Sequence, residues 1–414
     1  MKNVLEWLEA TVEKYPDKPA FSDTESGITF RQVYDIARNT GAYLIEQLGV
    51  DRTPVAVFAG RKMVTPAYFL GVVYAGRPYA PIDASLPDKR IEKILENLCP
   101  RAIVADRESL EHVESIVDEL AKSEGFDRPQ IFIAEDISRF DQVAGADSNC
   151  KISESAGEAV TDSENDMLAA VRRQMSMTDP LYIIYTSGST GNPKGVMTSH
   201  LSLMTYINAY CDVMHIEESD VLGNQSPLDY IAAIRDIYLP LKTGCSTAII
   251  PKEYFMEPNA LFDYMNDKKV SSVGWSVSAF TILTSLGAFE EVGLKSLRKI
   301  CFSGSVMPCR VLRKWQENLP EAHFVNQYGP TEATASCTYY SVDHLVEEDD
   351  VLPIGKAYDN YRVFLIDEHG NEPAVGEQGE ICVCGPILAL GYYNDPERTD
   401  AAFTLNPLNK AYPE

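Results

Sequence analysis

The sequence lacks the marks of a secreted or membrane-spanning protein. No run of about 18 consecutive apolar residues occurs, so no segment is long enough for a membrane-spanning helix. The first 20 residues scatter charged side chains among the apolar ones, unlike a signal peptide. The nine cysteines are widely spaced and include no CxxC pair. Together these features predict reduced thiols in a cytoplasmic compartment and no membrane partner.

Basic side chains and histidines are also scarce. The 414 residues include 36 lysines and arginines against 61 acidic residues, a formal net charge of −25. Nucleic acid is therefore not expected as a partner, because its phosphate backbone requires a basic face. The six histidines form no HExxH pair, which argues against a histidine-based metal site.

What the sequence does contain is enough apolar material for a large core. Hydrophobic residues make up 45% of the chain, which excludes disorder as its main state. Short apolar runs typical of buried strands alternate with longer helical patterns, which predicts βαβ units and a mostly parallel sheet. We therefore expect an α/β fold with two layered subdomains, at about residues 1–200 and 201–345.

Two further segments differ from these subdomains in composition and in their pattern of apolar residues. Residues 346–414 combine short strand patterns with turns, which predicts a small β-barrel-like subdomain at the end. Residues 145–167 are polar, acidic and rich in serine, which predicts a solvated connector without regular structure. No repeat with a period of 20–50 residues is present.

The most informative segment is YIIYTSGSTGNPKG, residues 182–195. A short apolar strand leads into a loop with three glycines, several hydroxyl side chains and Lys194. Glycines let backbone N–H groups approach an anion closely, while hydroxyls and a lysine add donors and charge. On its own a glycine- and serine-rich stretch could be a plain turn, but this arrangement after a strand predicts a phosphate-binding loop. It differs from the GxxxxGK[ST] loop because Gly195 follows the lysine.

These residues resemble the signature of the adenylate-forming superfamily, which includes acyl-CoA synthetases, luciferases and the adenylation domains of nonribosomal peptide synthetases. NQYGPTE at 326–332, GEICVCG at 379–385 and GYYNDPE at 391–397 match further motifs in family order. The first and last of these motifs are most similar to peptide-synthetase adenylation domains and D-alanine carrier-protein ligases. The resemblance implies that residues 1–414 are the large N-terminal AMP-binding domain of such an enzyme.

The resemblance also implies roles for individual residues. The loop around the β- and γ-phosphates of ATP would consist of Thr186, Ser187, Gly188, Ser189, Thr190, Gly191 and Lys194. The adenine would lie against Gly304, Ser305, Asn326 and Gln327, with Tyr328 stacked on the ring. Thr331 would bind the α-phosphate, Glu332 would hold Mg²⁺, and His200 would lie beside the acyl pocket.

The acyl pocket departs from the family pattern. The aspartate that usually pairs with a substrate α-amine aligns with Ile231, and Asp229 lies two residues earlier. We therefore expect a substrate that lacks an α-amine, or one with a displaced amine that reaches Asp229. The same alignment places around the pocket Ala232, Arg235, Gly274, Cys301, Ser303, Gln327, Ala335 and Ser336.

Three of these pocket positions carry particular expectations. Gly274 and Ser303 are small and would leave room for the acid. Arg235 is either a partner for a carboxylate on the substrate or an exposed arginine on a helix face.

The function implied is ATP-dependent activation of a carboxylic acid to acyl-AMP and pyrophosphate. The acyl group would then be loaded onto the phosphopantetheine arm of a carrier protein in nonribosomal peptide synthesis. Alternatives are a stand-alone synthetase with coenzyme A as acceptor, a carrier-protein ligase, or a non-catalytic relative that only binds a nucleotide or ligand. Members of the family continue with a small C-terminal domain that carries a catalytic lysine. We expect weak or no adenylate formation by these 414 residues alone.

Overall fold

A computed structural model describes residues 2–140, 162–187 and 191–411. Thirteen helices lie within these ranges: α1 (Leu5–Lys14), α2 (Phe30–Leu48), α3 (Thr65–Tyr74), α4 (Asp88–Leu98), α5 (Leu110–Leu120), α6 (Ala134–Ile137), α7 (Asp162–Gln174), α8 (His200–Met214), α9 (Ile234–Thr243), α10 (Pro258–Asp267), α11 (Val277–Ser285), α12 (Cys309–Asn318) and α13 (Pro396–Ala402). Short 3-10 turns occupy Ile231–Ala233, Lys252–Met256 and Thr331–Ala333.

Eighteen strands accompany the helices in the same ranges. They are β1 (Pro19–Ser22), β2 (Gly27–Thr29), β3 (Val55–Phe58), β4 (Tyr79–Ile82), β5 (Ala102–Ala105), β6 (Gln130–Ile133), β7 (Pro180–Thr186), β8 (Lys194–Ser199), β9 (Val221–Asn224), β10 (Ser246–Ile249), β11 (Ser272–Ser276), β12 (Lys299–Ser303), β13 (His323–Tyr328), β14 (Thr338–Val342), β15 (Lys356–Ala357), β16 (Arg362–Ile366), β17 (Glu380–Cys384) and β18 (Gly391–Tyr392).

The strands form two large sheets and one ribbon. A nine-stranded sheet has the order β15-β14-β13-β12-β11-β9-β10-β1-β2, and its central pairs from β13 to β1 are parallel. A seven-stranded sheet has the order β18-β8-β7-β4-β3-β5-β6, with antiparallel pairing only from β7 to β18. The α/β class with two layered sheets is therefore confirmed.

The last part of the chain pairs in antiparallel fashion, as expected. Strands β16 and β17 form a two-stranded ribbon, whereas β15 joins the nine-stranded sheet and β18 joins the seven-stranded one. Strands β1 and β2 also join the nine-stranded sheet although they lie near the N-terminus. The subdomain boundaries near residues 200 and 345 stay predictions, since each sheet draws strands from beyond them.

The connector expected at 145–167 is corrected in part. Residues 145–161 lie outside the described residues, but 162–167 begin helix α7 rather than a loop. This helix is stabilised by burial of its apolar side chains, because Leu168 and Val171 pack in the main core. Arg172 donates a hydrogen bond to Glu9, which ties the helix to α1.

Cysteines and helices can be described for the same part of the chain. Eight cysteines there form no disulfide, while the compartment that they predict stays a prediction. Among the described helices, none combines the length and apolar character needed to cross a membrane.

Candidate active site

The candidate site begins where two parallel strands end side by side. Strands β12 and β13 are neighbours, so the residues that follow Ser303 and those that end β13 lie at one edge of the nine-stranded sheet. The carboxyl ends of parallel strands form the usual ligand crevice of such sheets. This edge therefore brings together the residues predicted to contact adenine: Gly304, Ser305, Asn326, Gln327 and Tyr328.

These residues differ in how available they are to a ligand. Gly304 has a φ of +95° and Ser305 follows it on the surface. The Tyr328 side chain is 39% exposed, which leaves a ring face free for stacking. Asn326 instead donates a hydrogen bond to the Pro353 carbonyl at 2.8 Å. Gln327 is buried and turned toward the acyl pocket, so its predicted contact with adenine stays a prediction.

The glycine-rich loop connects two antiparallel strands of the other sheet. Thr186 at the end of β7 pairs with Lys194 at the start of β8, which brings the two strands that flank the loop together. Gly188, Ser189 and Thr190 lie outside the described residues. Gly191 has a φ of +79°, in the left-handed region that favours glycine. The buried Thr186 hydroxyl has no hydrogen-bond partner in the described part of the chain.

Two cations of helix α4 flank this loop, and the sequence interpretation missed both. An Arg90 nitrogen lies 3.4 Å from Ser187 Oγ and donates to it. The Lys93 ammonium donates to the Asn192 side-chain oxygen at 2.9 Å and to the Gly191 carbonyl at 3.4 Å. Nothing in the amphipathic pattern of α4 distinguishes these cations from ordinary solvated side chains.

Lys194 and Glu332 meet at the base of the loop. The Lys194 ammonium pairs with Glu332 Oε1 and donates to the Tyr392 hydroxyl at 3.2 Å. The Tyr392 hydroxyl donates to the same carboxylate oxygen at 2.6 Å. Tyr392 reaches this position because β18 pairs with β8, with Tyr392 opposite Val196. It lies in the GYYNDPE motif and is a further site residue that the sequence interpretation did not single out.

The electrostatics of this trio keep the acid and the lysine charged. Burial on its own would raise the pKa of Glu332, but hydrogen bonds from Lys194 and Tyr392 hold it below its usual value. Burial would likewise lower the pKa of Lys194, and its bonds to Glu332 and Tyr392 raise it instead. The site therefore presents an ammonium and a carboxylate that are both partly buried and both ionised.

Thr331 and Glu332 lie on a firmly anchored turn. The 3-10 turn Thr331–Ala333 directly follows the end of β13. The Ala389 N–H donates to the Glu332 carbonyl at 2.8 Å, and the Thr334 hydroxyl donates to the Ile387 carbonyl at 2.6 Å. Because these bonds hold Glu332 itself and the residue that follows the turn, the Glu332 backbone is fixed where its carboxylate meets Lys194.

The residues fit a magnesium ion of the kind that accompanies nucleotides. Among the described residues, no group of three histidine, cysteine, aspartate or glutamate side chains could hold a metal ion by itself. Mg²⁺ in nucleotide sites uses one or two carboxylates and takes its other ligands from phosphates and water. The ionised Glu332 carboxylate beside the glycine-rich loop would supply one such ligand.

The predicted pocket residues converge on Arg235. The Arg235 guanidinium donates to the Gly274 carbonyl at 2.7 Å and to Gln327 Oε1 at 3.4 Å. Cys301 Sγ lies 3.6 Å from an Arg235 nitrogen and 3.3 Å from Gln327 Oε1. The exposed helix-face alternative for Arg235 is wrong: the side chain is fully buried because α9 runs through the core.

The space expected at Gly274 is already occupied. A Cβ atom there would lie 2.8 Å from the guanidinium carbon of Arg235, so the glycine makes room for the arginine rather than for empty volume. Ser336 is buried, while Ala232, Ser303 and Ala335 are half-buried in the segments around this cluster.

Ile231 and Asp229 separate in the structure. Ile231 is buried in the main hydrophobic core at the start of the 3-10 turn before α9. Asp229 lines a small crevice with Arg61, Asp83 and Leu228, and burial together with the Asp83 carboxylate raises its pKa. None of the contacts described for Asp229 involves Arg235.

His200 is placed with the N-terminal segment rather than with Lys194. It is buried at the start of α8, and its Nδ1 accepts a hydrogen bond from the Val4 backbone N–H at 3.4 Å. Burial lowers the pKa of His200 to about 4, so the ring is neutral. Its predicted part in catalysis stays a prediction.

Comparison with known proteins agrees with this geometry. Residues 8–393 match the family described as AMP-binding enzyme. A D-alanine--D-alanyl carrier protein ligase of Bacillus cereus (strain Q1) is 30% identical over 413 residues, which cover 99% of this chain and 75% of the relative. The same ligase of Bacillus anthracis is 29% identical over the same shares.

Solved structures share the fold. The nonribosomal peptide synthetase FmoA3 (S1046A) has a TM-score of 0.80 at 23% identity, which covers 98% of this chain and 40% of that one. VinN has a TM-score of 0.78 at 20% identity, and the match covers 97% of this chain and 93% of VinN. The N-terminal subdomain of Klebsiella oxytoca NpsA has a TM-score of 0.76 at 19% identity, and the match covers 98% of this chain and 92% of the NpsA chain. The chain belongs to the AMP-binding enzyme family, within the adenylate-forming superfamily.

Proposed function

We propose that the chain supplies the ATP- and acid-binding site for adenylation of a carboxylic acid to acyl-AMP and pyrophosphate, a reaction that these 414 residues alone carry out weakly or not at all. The observation that carries the proposal is the meeting of Lys194, Glu332 and Tyr392 beside the glycine-rich loop. A lysine and an ionised carboxylate at a phosphate loop suit a magnesium–nucleotide complex better than any other common ligand.

The reaction needs positioning rather than a protein nucleophile. An oxygen of the substrate carboxylate attacks the α-phosphorus of ATP, the new P–O bond forms, and the bond to the bridging oxygen breaks to release pyrophosphate. Lys194 would leave Glu332 for a phosphate oxygen. Glu332 would hold Mg²⁺, and the bound ion would supply positive charge against the phosphates. Thr331 lies one residue away to bind the α-phosphate, while Arg90 and Lys93 add positive charge at the loop.

The acceptor of the activated acyl group is the finer part of the proposal. We infer loading onto the phosphopantetheine thiol of a carrier protein, as in nonribosomal peptide synthesis. The name of the carrier-protein ligases that are 30% identical to this chain supports this acceptor. Coenzyme A is the alternative, and incubation with ATP, radiolabelled acid and either thiol separates the two by where the label appears.

The test of the nucleotide site is Glu332→Gln, with Glu13→Gln on the exposed face of α1 as its control. We expect the E332Q variant to bind Mg·ATP at least tenfold more weakly in calorimetry, about 1.4 kcal/mol, and the full-length enzyme with this change to lose ATP–pyrophosphate exchange. ATP without magnesium should bind unchanged or more tightly, because Lys194 is no longer paired.

Two results would contradict the proposal. Equal Mg·ATP affinity in the wild type and in E332Q would remove Glu332 from the site. Absence of any Mg·ATP binding by the wild type would favour the non-catalytic alternative instead.

A further inference from the structure

Arg235 is a buried charge whose hydrogen bonds all go to neutral groups. Only 2% of the residue is exposed. Its described partners are the Gly274 carbonyl, Gln327 Oε1 and the Cys301 thiol, and the Tyr210 ring lies 5.6 Å from the guanidinium carbon. Within the described residues, no ion pair joins Arg235 to a carboxylate. A buried guanidinium without a counter-charge is unfavourable for the folded protein.

The neighbouring Asp236 supplies negative charge but no direct hydrogen bond to the guanidinium. Its carboxylate accepts a hydrogen bond from the Asn224 side-chain amide at 2.8 Å. Burial raises the pKa of Asp236 to about 6 against the opposing effect of Arg235, so the carboxylate is mostly ionised near pH 7 and attracts the guanidinium without filling its donor positions.

Several donors around Arg235 are also unsatisfied. Arg235 Nε, Gln327 Nε2 and the Tyr206 hydroxyl are buried and have no hydrogen-bond partner in the described part of the chain. Gln327 touches Arg235, and the Tyr206 ring lies 6.0 Å from the ring of Tyr210 that faces the guanidinium. Buried polar groups are nearly always paired in native proteins, so a cluster of unpaired donors points to a missing acceptor.

The chemistry of that acceptor follows from the donors. A carboxylate is acceptor-only, offers about four lone-pair sites and matches the planar fork of a guanidinium. The pocket has the opposite preference from one built for an amine, because Ile231 is apolar and Asp229 lies elsewhere. Gly274 is the residue that admits the guanidinium, since any side chain there would collide with it.

The cluster is also close in the chain to the reacting end of the site. Gln327 is on β13, and Thr331 and Glu332 lie on the turn that follows this strand. An acid that reaches from this turn to Arg235 would have one carboxylate at the phosphates of ATP and a second group at the guanidinium.

We propose that the acid activated by this site is a short dicarboxylic acid, whose second carboxylate is bound by Arg235 with Gln327 and Tyr206 as further donors. The inference rests on the proposed adenylation and names its substrate class.

The test compares dicarboxylic acids with their neutral analogues. Succinate and glutarate are measured against succinamate, glutaramate and butyrate in ATP–pyrophosphate exchange by the full-length enzyme that contains these residues. We expect the wild type to use a dicarboxylate at least tenfold better, in kcat/KM, than its monoamide, with most of the difference in KM. Arg235→Gln should abolish this ratio, while Arg310→Gln, a change at an exposed arginine of α12, should preserve it.

Stability measurements separate recognition from a structural role. The Tm of the wild type and of Arg235→Met is measured with and without ligand, so that any structural effect of the substitution is seen in the ligand-free proteins. Succinate should raise the Tm of the wild type in the presence of Mg·ATP and leave that of R235M unchanged.

The outcomes are distinguishable from failure of the proposed function. Mg·ATP binding with equal or better use of the monoamides would overturn the dicarboxylate inference and leave adenylation standing. Retention of the tenfold ratio by R235Q would overturn the role of Arg235. Absence of both nucleotide and acid binding would overturn adenylation and this inference together.

Discussion

His200 illustrates how burial decides the state of a single residue. Its ring is enclosed by the start of α8 and the N-terminal segment, and its Nδ1 accepts a hydrogen bond from Val4. Burial, with a smaller effect of Arg172 and Arg52, lowers its pKa to about 4, against a partial opposing effect of Asp179. The folded protein therefore excludes a proton that the unfolded chain accepts near pH 6.5.

The consequence is a pH dependence of stability with a defined sign. The pKa of His200 is lower in the folded protein than in the unfolded chain. Its effect on the free energy of unfolding is therefore absent above pH 6.5 and becomes destabilising as the pH falls from 6.5 to 4. The shift from 6.5 to about 4 corresponds to a loss of about 3 kcal/mol. We expect His200→Asn, which keeps an acceptor for Val4, to lack this loss.

The measurement is urea unfolding at pH 7.5 and 4.5 for the wild type and H200N. The difference between the two proteins cancels other groups that titrate in this range, among them Asp236. A wild type whose stability falls no further than that of the variant would show that His200 is protonated in the folded state.

At the residue scale, the meeting of Lys194 and Glu332 agrees with their motifs, because both motifs place these residues near the phosphates of ATP. Tyr392 could not be anticipated, because a strand of two residues carries no periodic signal and its partner β8 lies almost 200 positions earlier. The neighbours of Arg235 followed from the family alignment, which placed Gly274, Cys301 and Gln327 around the same pocket. Its complete burial did not follow, since the depth of α9 depends on packing from every side.

The crossing of helices α2 and α3 shows what packing requires of an element. A Cβ on Gly71 would lie 2.5 Å from Thr40 Cβ, and one on Gly41 would lie 2.5 Å from Tyr74 Cβ. The two helices therefore approach closely through reciprocal glycines, and α3 is buried along its whole length.

We expect Gly71→Ala to destabilise the protein despite the better helix propensity of alanine. Overpacking of a tight core costs about 1–3 kcal/mol, against a gain of about 1 kcal/mol from propensity. Because a Cβ there would meet two Thr40 side-chain atoms at 2.5 and 2.6 Å, the cost should lie in the upper part of this range, and chemical denaturation should show a net loss of about 1–2 kcal/mol. Gly293→Ala, where a Cβ meets no atom within 4 Å, should be nearly neutral. A G71A variant as stable as the wild type would mean that the helices can separate freely.

Elements were predictable where a short apolar run had clear ends. The run RAIVAD contains β5 and the run QIFIAED contains β6, because continuous apolar stretches favour buried parallel strands. The start of α7 was missed because its first turn is acidic and polar, and its apolar contacts with the core begin only at Met167. Strand order was beyond prediction, since β1 and β10 pair across more than 200 residues.

At the scale of the molecule, the two large sheets share one core and several buried polar links. The hydroxyl groups of Tyr79 in β4 and Tyr238 in α9 lie 3.0 Å apart. The Thr11 hydroxyl donates to the Leu241 carbonyl at 2.7 Å. Because β1 and β2 complete the sheet that lies later in the chain, neither sheet is assembled from a single continuous segment. We therefore expect both sheets to unfold in one transition.

Asn224 is the position at which this cooperativity can be tested. It is fully buried at the end of β9, accepts from Arg61 Nε at 3.0 Å and donates to Asp236 at 2.8 Å. Asn224→Ala leaves both partners without these bonds, so we expect a loss of about 2–4 kcal/mol in the free energy of unfolding.

The loss should appear equally in the fluorescence of Trp275 and Trp315, measured in a Trp7→Phe background, and in hydrogen exchange of β3 and β4. Asn318→Ala, at an exposed helix end, should shift neither probe by more than about 0.5 kcal/mol. If the tryptophans report a loss that the amides of β3 and β4 do not share, the two sheets unfold as separate units and the joint core does not couple them.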